Sequence, residues 1–319
     1  MANMYDIASL SYSPSTNMEW FTKAILGGSL INKGYLSFVT GVKESTYLNK
    51  LEIADSLLQA DERNCSWTPD QIFKLSDKML EIKTYKINLE QCIDSLESKR
   101  TVWMLKAGAR NTDLPESLEA ATLEMLAQEL SFEIETKIFA GDSDADENDF
   151  DGAFKILKES GQSIKVAGTA LTVNNVVTEL TKVYSAIPEA VLKKGIANGT
   201  VKIFTSFAVS RLLRLALASA NSQVIAPSLS LRNDTIYFLD VEVVTVNGLN
   251  GNTMIAIDYE NSVLGTDLIS DFENIRIGNF PAPEDFKVFI DGRLRLGYAI
   301  PFEDEAVIYS CESVVEPVR

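Results

Sequence analysis

Residues 114–140 read LPESLEAATLEMLAQELSFEIETKIFA, and this stretch decides the fold. Its apolar residues recur at helical spacing, which predicts one long helix with a single apolar stripe. The stripe comprises Leu123, Leu126, Leu130, Ile134 and Ile138, widened by Leu118, Met125, Phe132 and Phe139, with Glu119, Glu124, Glu129 and Glu133 on the wet side. At 1.5 Å per residue the helix is roughly 40 Å long, well above the usual three turns. Such a rod needs a broad surface to lie on, and we interpret it as the backbone of an elongated subunit.

The ends of this helix carry local signals. Asp113 and Glu116 form a capping-box pattern, and Pro115 stands in the first turn, where its missing N–H has no consequence. Gly141 is predicted to end the helix in the left-handed conformation.

The composition bounds the class of protein. A length of 319 residues suggests one large domain or two ordinary ones, and a hydrophobic fraction of 46% suffices for a real core. The net charge of −16 argues against a nucleic-acid-binding surface, which needs clusters of lysine and arginine. It does not exclude enclosing a nucleic acid without gripping it.

The sequence contains no histidine, which removes Ser-His-Asp and Cys-His catalysis and the commonest metal ligand. Cys65, Cys92 and Cys311 are scattered without a CxxC spacing, so we expect free thiols in a reducing cytosol. No signal peptide is visible, and no stretch reaches the ~18 apolar residues of a membrane helix. Residues 207–220 come nearest, but Arg211 and Arg214 interrupt them. We expect a soluble protein made in the cytoplasm.

The first part of the chain alternates between extended and helical patterns. Residues 1–34 are mixed and predict an arm that packs on something else, with a partly ordered tail as the alternative. Two alternating apolar runs with a polar tip predict a long two-stranded excursion that needs a neighbouring surface, with a bulge between Ile82 and Tyr85. The remaining predictions here are a strand at 36–42 and a helix at 90–106.

After the long helix the pattern becomes mixed α/β. We predict an acidic loop at 141–152, an ordered segment at 154–157 and a helix at 173–185 capped by Thr172 or Asn174. A short strand is predicted at 201–204. Ser206 is predicted to cap a further helix that ends at residue 220, with its inner side formed by Leu212, Leu213, Leu215 and Leu217. Strands are predicted at 236–246 and 254–257, with turns at Asn247-Gly248 and Asn250-Gly251. At the end of the chain, residues 286–290 lead into a predicted hairpin turn at Asp291-Gly292. In the strand that follows, the inward-facing residues are Leu294, Leu296, Tyr298 and Ile300, and the outward-facing ones are Arg293 and Arg295. Residues 306–309 are predicted to close the sheet.

Few residues carry a pattern of chemistry. Asp142, Asp144 and Asp146 resemble the start of a calcium loop, but Glu147 stands where glycine is needed and Ala153 where a bidentate glutamate belongs, so a solvated acidic loop is favoured. Glu303, Asp304 and Glu305 are interpreted as a charged turn rather than paired acid catalysts. Arg211 and Arg214 either meet an acidic partner or form the wet face of their helix. We predict no catalytic, cofactor-binding or metal residues.

The order of these elements resembles the major capsid protein of tailed bacteriophages, whose Hong Kong 97 fold is also seen in encapsulin shells. On this resemblance the α+β chain divides into an N-terminal arm (1–45), an extended two-stranded loop (46–89), a peripheral domain (90–166) with the spine helix 114–140, an α/β axial domain (167–275) and return strands of the peripheral domain (276–319). The run FDGAF at 150–154 is similar to the link after the spine, and VLGTDL at 263–268 with Asp271 to a recurrent turn.

The resemblance implies a shell subunit of the virion, assembled in the host cytoplasm as pentamers and hexamers of an icosahedral head. It implies enclosed double-stranded DNA without sequence-specific binding, a separate scaffolding protein, a portal, possible decoration proteins, no cofactor and no membrane. An encapsulin-like compartment is the alternative with the same fold, and a carboxylate-dependent hydrolase is an alternative from another class. An acidic lining would repel packaged DNA and confine it unbound, a hypothesis that negative charge on the outer shell face would remove.

Overall fold

In a computed structural model of the chain, the residues described are 30, 33–53, 73–92, 116–219, 228–232, 235–267, 276–279 and 287–311. Several predictions lie outside them: most of the arm, the tip of the extended loop, the capping box at Asp113 and Pro115, Cys65, the helix beyond residue 92, and Asp271. Within these ranges, the side chains of residues 52–53, 89–92, 116–127, 219, 276–279 and 287–290 are also outside the description.

The described elements alternate between helices and short strands. The strands are β1 (Ser37–Thr40), β2 (Thr46–Ile53), β3 (Phe73–Leu80), β4 (Lys83–Cys92), β5 (Ile164–Ala167), β6 (Val201–Thr205), β7 (Leu229–Arg232), β8 (Thr235–Phe238), β9 (Val241–Thr245), β10 (Met254–Asp258), β11 (Val263–Thr266), β12 (Arg276–Asn279), β13 (Lys287–Ala299) and β14 (Val307–Ser310). The helices are α1 (Glu116–Ala140), α2 (Ala153–Glu159), α3 (Val176–Ala186), α4 (Glu189–Asn198) and α5 (Phe207–Ser219).

A seven-stranded sheet with the order β5-β14-β10-β6-β9-β8-β7 forms the wall between two cores. One face, with Ile203, Met254 and Tyr309, packs against the buried sides of α3, α4 and α5. The other face, with Phe204 and Ile255, packs against α1 and α2. Because both faces are covered, all five residues of β6 and of β10 are buried, including the charged Lys202 and Asp258.

A second sheet is built on the 13-residue strand β13. One edge of β13 pairs with β4 from Lys287 to Leu296, and the other edge pairs with β12 and then β11. Strand β1 lies parallel to β11 and completes the sheet. Leu294, Leu296 and Tyr298 bury their side chains in the same core as α1, so the two sheets share one apolar interior.

Tyr35 ties the first described residues to the seven-stranded sheet. Its hydroxyl donates to the Glu242 carboxylate at 2.7 Å, and Lys202 reaches the same carboxylate at 2.8 Å from the neighbouring strand. Burial, followed by the bond to Glu242, raises the pKa of the Tyr35 hydroxyl. A charged pair this deeply buried is held by such additional hydrogen bonds.

The long helix is confirmed, with corrections at its C-terminal half. Ile134, Ile138 and Phe139 are buried, but Phe132 is 52% exposed because it points away from the stripe. Gly141 does not have a positive φ, so the predicted left-handed stop is wrong. A Cβ at Gly141 would lie 2.3 Å from the Phe150 carbonyl oxygen, and Gly152 N–H donates to the Gly141 oxygen at 2.8 Å. Glycine is needed here for close backbone approach.

The predicted hairpin at Asp291-Gly292 is also wrong. Strand β13 runs straight through both residues because β4 pairs with it along its length, with Asp291 opposite Asn88 and Gly292 opposite Ile87. The same pairing makes Glu90 to Cys92 strand rather than helix. The predicted bulge after Ile82 is instead the break between β3 and β4, which belong to different sheets.

Other corrections are local. Helix α3 begins at Val176 after Asn175, rather than after Thr172 or Asn174, and α4 was not predicted. The run 236–246 is two strands joined by a turn at Leu239, whose φ is 53°. Residues 263–266 form a strand rather than a turn. Leu213 is buried as predicted, whereas Leu215 is 47% exposed. The segment predicted as return strands is shared between the sheets, since β14 joins the seven-stranded one. The domain limits themselves stay predictions.

We predict that Gly141→Ala destabilises the subunit by about 1–3 kcal/mol, because its Cβ would meet backbone atoms rather than a flexible side chain. Thermal unfolding checks this. Gly161→Ala is the matched control, because nothing lies within 4 Å of its Cβ position and its φ is not positive. Equal melting temperatures for the two variants would contradict the packing argument.

Candidate functional site

Strands β2 and β3 form a two-stranded sheet of their own, called the ribbon here. Its register sets Tyr47 opposite Met79 and Leu51 opposite Leu75. Directly opposed residues share a face, so the odd-numbered residues of both strands lie on one side and the even-numbered residues on the other. We call these the outer face and the inner face.

The outer face is open to solvent and carries five large apolar side chains, with the polar pair Asn49 and Asp77 among them. The exposed fractions are 62% for Tyr47, 59% for Leu51, 60% for Phe73, 73% for Leu75 and 49% for Met79. Isolated exposed apolar residues are ordinary, but five on one face, including two directly opposed pairs, mark an interaction surface. The sequence predicted this excursion and its need for a neighbouring surface, and the pairing of β2 with β3 confirms the two-stranded form.

The inner face is held by the body of the same chain. Lys78 forms an ion pair with Glu303, and the Ser160 hydroxyl donates to the other oxygen of that carboxylate. The Lys50 ammonium lies 4.9 Å from the centroid of the Phe302 ring, within the range of a cation–π contact. A polar cavity of about 550 Å³ separates the rest of this face from residues 301–304.

The root of the ribbon, residues 80–81 at the end of β3, packs against two glycines. Gly265 of β11 and Gly297 of β13 stand opposite each other in register. A Cβ at Gly297 would lie 2.0 Å from the Glu81 carbonyl oxygen, and one at Gly265 would lie 2.6 Å from Leu80 Cδ2. The backbone after β3 therefore lies directly on the sheet, and Leu80 is fully buried.

The charged turn 303–305 contributes to the contact between the inner face and the body of the chain, which we call the seat of the ribbon. Burial would raise the pKa of the Glu303 carboxyl, but hydrogen bonds from Lys78 and Ser160 outweigh it and lower the pKa. Burial raises the pKa of Glu305. The carboxylate of Glu303 is thus engaged with the ribbon, which gives the turn a structural contact that its sequence did not indicate.

The acidic loop after α1 closes on a lysine rather than facing solvent throughout. Lys155 Nζ lies 2.7 Å from Asp142 Oδ1, 2.7 Å from Asp144 Oδ2 and 3.0 Å from Asp151 Oδ1. Hydrogen bonding from Lys155 lowers the pKa of the Asp142 carboxyl. Within the described residues, no group of three or more acidic or thiol side chains is arranged around a metal position. The spacing of Asp151 and Lys155, four residues apart, was the signal for this contact.

Asp149 joins the same loop to two other elements. Its carboxylate accepts a hydrogen bond from the Tyr85 hydroxyl of β4 and one from Lys137 of α1 at 2.8 Å. Asp146, the third acid of the calcium-like pattern, accepts a hydrogen bond from the Asn148 backbone N–H at 2.9 Å. These contacts fasten the end of the long helix to the second sheet.

The remaining candidates stand apart from these clusters. Arg211 and Arg214 lie on the exposed side of α5. Cys311 is a buried thiol. Among the helices that the structure describes, none has the length and hydropathy needed to cross a membrane.

No protein-family model matches the sequence, and no curated protein matches it. Solved structures match in fold. The satellite phage P4 procapsid including size determination (Sid) protein gives a TM-score of 0.59 at 10% identity, covering 95% of this chain and 94% of that chain. Gordonia phage Cozz gives 0.55 at 12% identity, covering 91% and 87%, and the capsid of the native GTA particle gives 0.55 at 10%, covering 91% and 90%. The predicted α+β, Hong Kong 97-like capsid fold is confirmed.

We predict that Lys155→Met lowers the free energy of unfolding by about 2 kcal/mol, because three neighbouring carboxylates lose their cation. This is below the roughly 3–5 kcal/mol of a fully buried pair, since the carboxylates keep contact with water. Urea unfolding at pH 7 measures it. Lys193→Met is the control, because its pair with Glu189 is exposed on α4.

The same variant has a defined pH dependence. A carboxyl whose folded pKa is lowered stabilises the fold above its unfolded pKa of about 4, and that contribution is lost as the pH falls through the folded pKa. Because Lys155 lowers the pKa of Asp142, the difference in melting temperature between wild type and Lys155→Met should shrink from pH 5 to pH 3. A constant difference over that range would refute the assignment.

Proposed function

We propose that this chain is the major capsid protein of a tailed bacteriophage, self-assembling into pentamers and hexamers of an icosahedral head that encloses double-stranded DNA. The observation that carries the proposal is the ribbon, whose apolar outer face no part of the described chain covers. The similarity in fold to chains from a procapsid and from a capsid supports it.

The physical argument is one of burial. A two-stranded ribbon is marginal in water by itself, and here only its inner face contacts its own body. Burying an exposed leucine or phenylalanine stabilises a complex by roughly 1.5–3 kcal/mol per side chain, before the losses of association are subtracted. A second copy of the same chain is the occupant that a closed shell supplies at every ribbon.

The proposal assigns the chain a structural role within the virion rather than a catalytic one. Of the acidic residues that could have suggested acid catalysis or a metal site, Asp142 and Asp144 pair with Lys155, and Glu303 pairs with Lys78. A scaffolding protein, a portal and decoration proteins belong to the proposal as partners, with assembly in the host cytoplasm. The net charge of −16 suits a wall that confines DNA without binding it.

The direct test is to express the full chain and examine it by sedimentation and negative-stain electron microscopy. We expect closed shells or capsomers. A protein that stays a monodisperse monomer at all concentrations would overturn the proposal. Shells that are isolated from cells and contain enzymes rather than DNA would favour the encapsulin-like alternative.

We predict that Leu75→Asp abolishes assembly while leaving the subunit folded. Its side chain is 73% exposed, so the change in unfolding free energy should stay within about 0.5 kcal/mol, whereas a charge in place of Leu75, opposite the apolar Leu51, would be buried against the neighbour. Sedimentation velocity and thermal unfolding measure the two effects separately. Leu75→Met, which keeps the face apolar, should assemble as wild type does. Shells formed by Leu75→Asp would exclude the outer face from the interface.

A further inference from the structure

The direction of the ribbon is fixed at two points of its own chain. The first is the root, where Glu81 and Leu80 lie on the backbone of Gly297 and Gly265. The second is the inner face, where Lys78 meets Glu303 and Lys50 lies over Phe302. Two separated contacts define an angle, whereas the root alone would leave the ribbon free to tilt.

The second point is polar. The cavity between the inner face and residues 301–304 is lined by Lys50, Lys74 and Lys78 on one side and by Glu303 and Asp304 on the other. Apolar packing does not fill this space, so the tilt of the ribbon depends on charge pairing across it. Within the Lys78–Glu303 pair, Glu303 is held more firmly than Lys78, because its side chain is only 13% exposed and the Ser160 hydroxyl donates to its second oxygen.

We propose that Glu303 is a positioning residue for assembly: by holding Lys78 it sets the angle at which the outer face meets a neighbouring copy, and thereby the curvature of the shell. This inference rests on the proposed function. The lever is long, since an eight-residue strand spans roughly 26 Å and a small tilt at the root displaces its far end by several ångströms.

The test uses the full chain carrying Glu303→Gln, Lys78→Glu, or the charge swap Lys78→Glu with Glu303→Lys. Shell diameters are measured by electron microscopy, and melting temperatures of unassembled subunits are measured in parallel. We expect both single variants to fold and to lose the single shell diameter of the wild type, giving mixed diameters or open sheets. The charge swap should restore one diameter, because the attraction is restored with its direction reversed.

Matched controls separate charge from position. Glu189→Gln removes one negative charge from a fully exposed pair on α4, and Lys86→Glu makes the same reversal as Lys78→Glu on β4, outside the cavity. Both should give wild-type diameters. A zero-length carbodiimide cross-link between Lys78 and Glu303, detected by mass spectrometry in the wild-type subunit, reports the contact directly.

The outcomes distinguish this inference from the proposed function. If the wild type forms no shells, the proposed function falls and this inference falls with it. If the wild type forms uniform shells and Glu303→Gln forms shells of the same diameter, only the positioning role is overturned. Failure of the charge swap to restore a single diameter, with its melting temperature unchanged, overturns it as well.

Discussion

The two faces of the ribbon impose the constraint on which the rest depends. Side chains alternate strictly along a strand, so a ribbon seated on its own body through one face must present the other. In this chain the seated face carries lysines and the presented face carries Tyr47, Leu51 and Leu75. A single copy therefore leaves its apolar surface uncovered. Coverage by another copy is the solution that needs no further component.

The remainder of the fold restricts the movement of the ribbon relative to the body of the chain. The seven-stranded sheet is buried on both faces, with α1 crossing one of them, and β13 draws β4, β11 and β12 together. Lys137 and Tyr85 converge on Asp149, so the end of the long helix and the strand that follows the ribbon are fastened to one carboxylate. Movement of the ribbon is thus confined to its own root and seat.

The features that the sequence predicted correctly are those determined by residues close together along the chain. The long helix, the cap at Ser206, the turns at Gly248 and Gly251 and the inward side of β13 follow from spacing and backbone preference. Asp291-Gly292 has the composition of a hairpin turn, yet ten residues of pairing with β4 outweigh that preference. Gly141, Gly265 and Gly297 serve close approaches between distant segments, and Lys78 finds Glu303 across 225 positions. No pattern along the chain reports contacts of that range.

The chemistry of the seat explains why the ribbon has one apolar face and not two. Apolar side chains on both faces would bind the ribbon to its own body by non-directional burial, which tolerates many tilts. An ion pair backed by a serine hydroxyl has a preferred geometry, and a buried carboxylate left without its partner is costly, so one tilt is favoured over its neighbours. Burial against the next copy then supplies the affinity, while charge pairing within the subunit supplies the geometry.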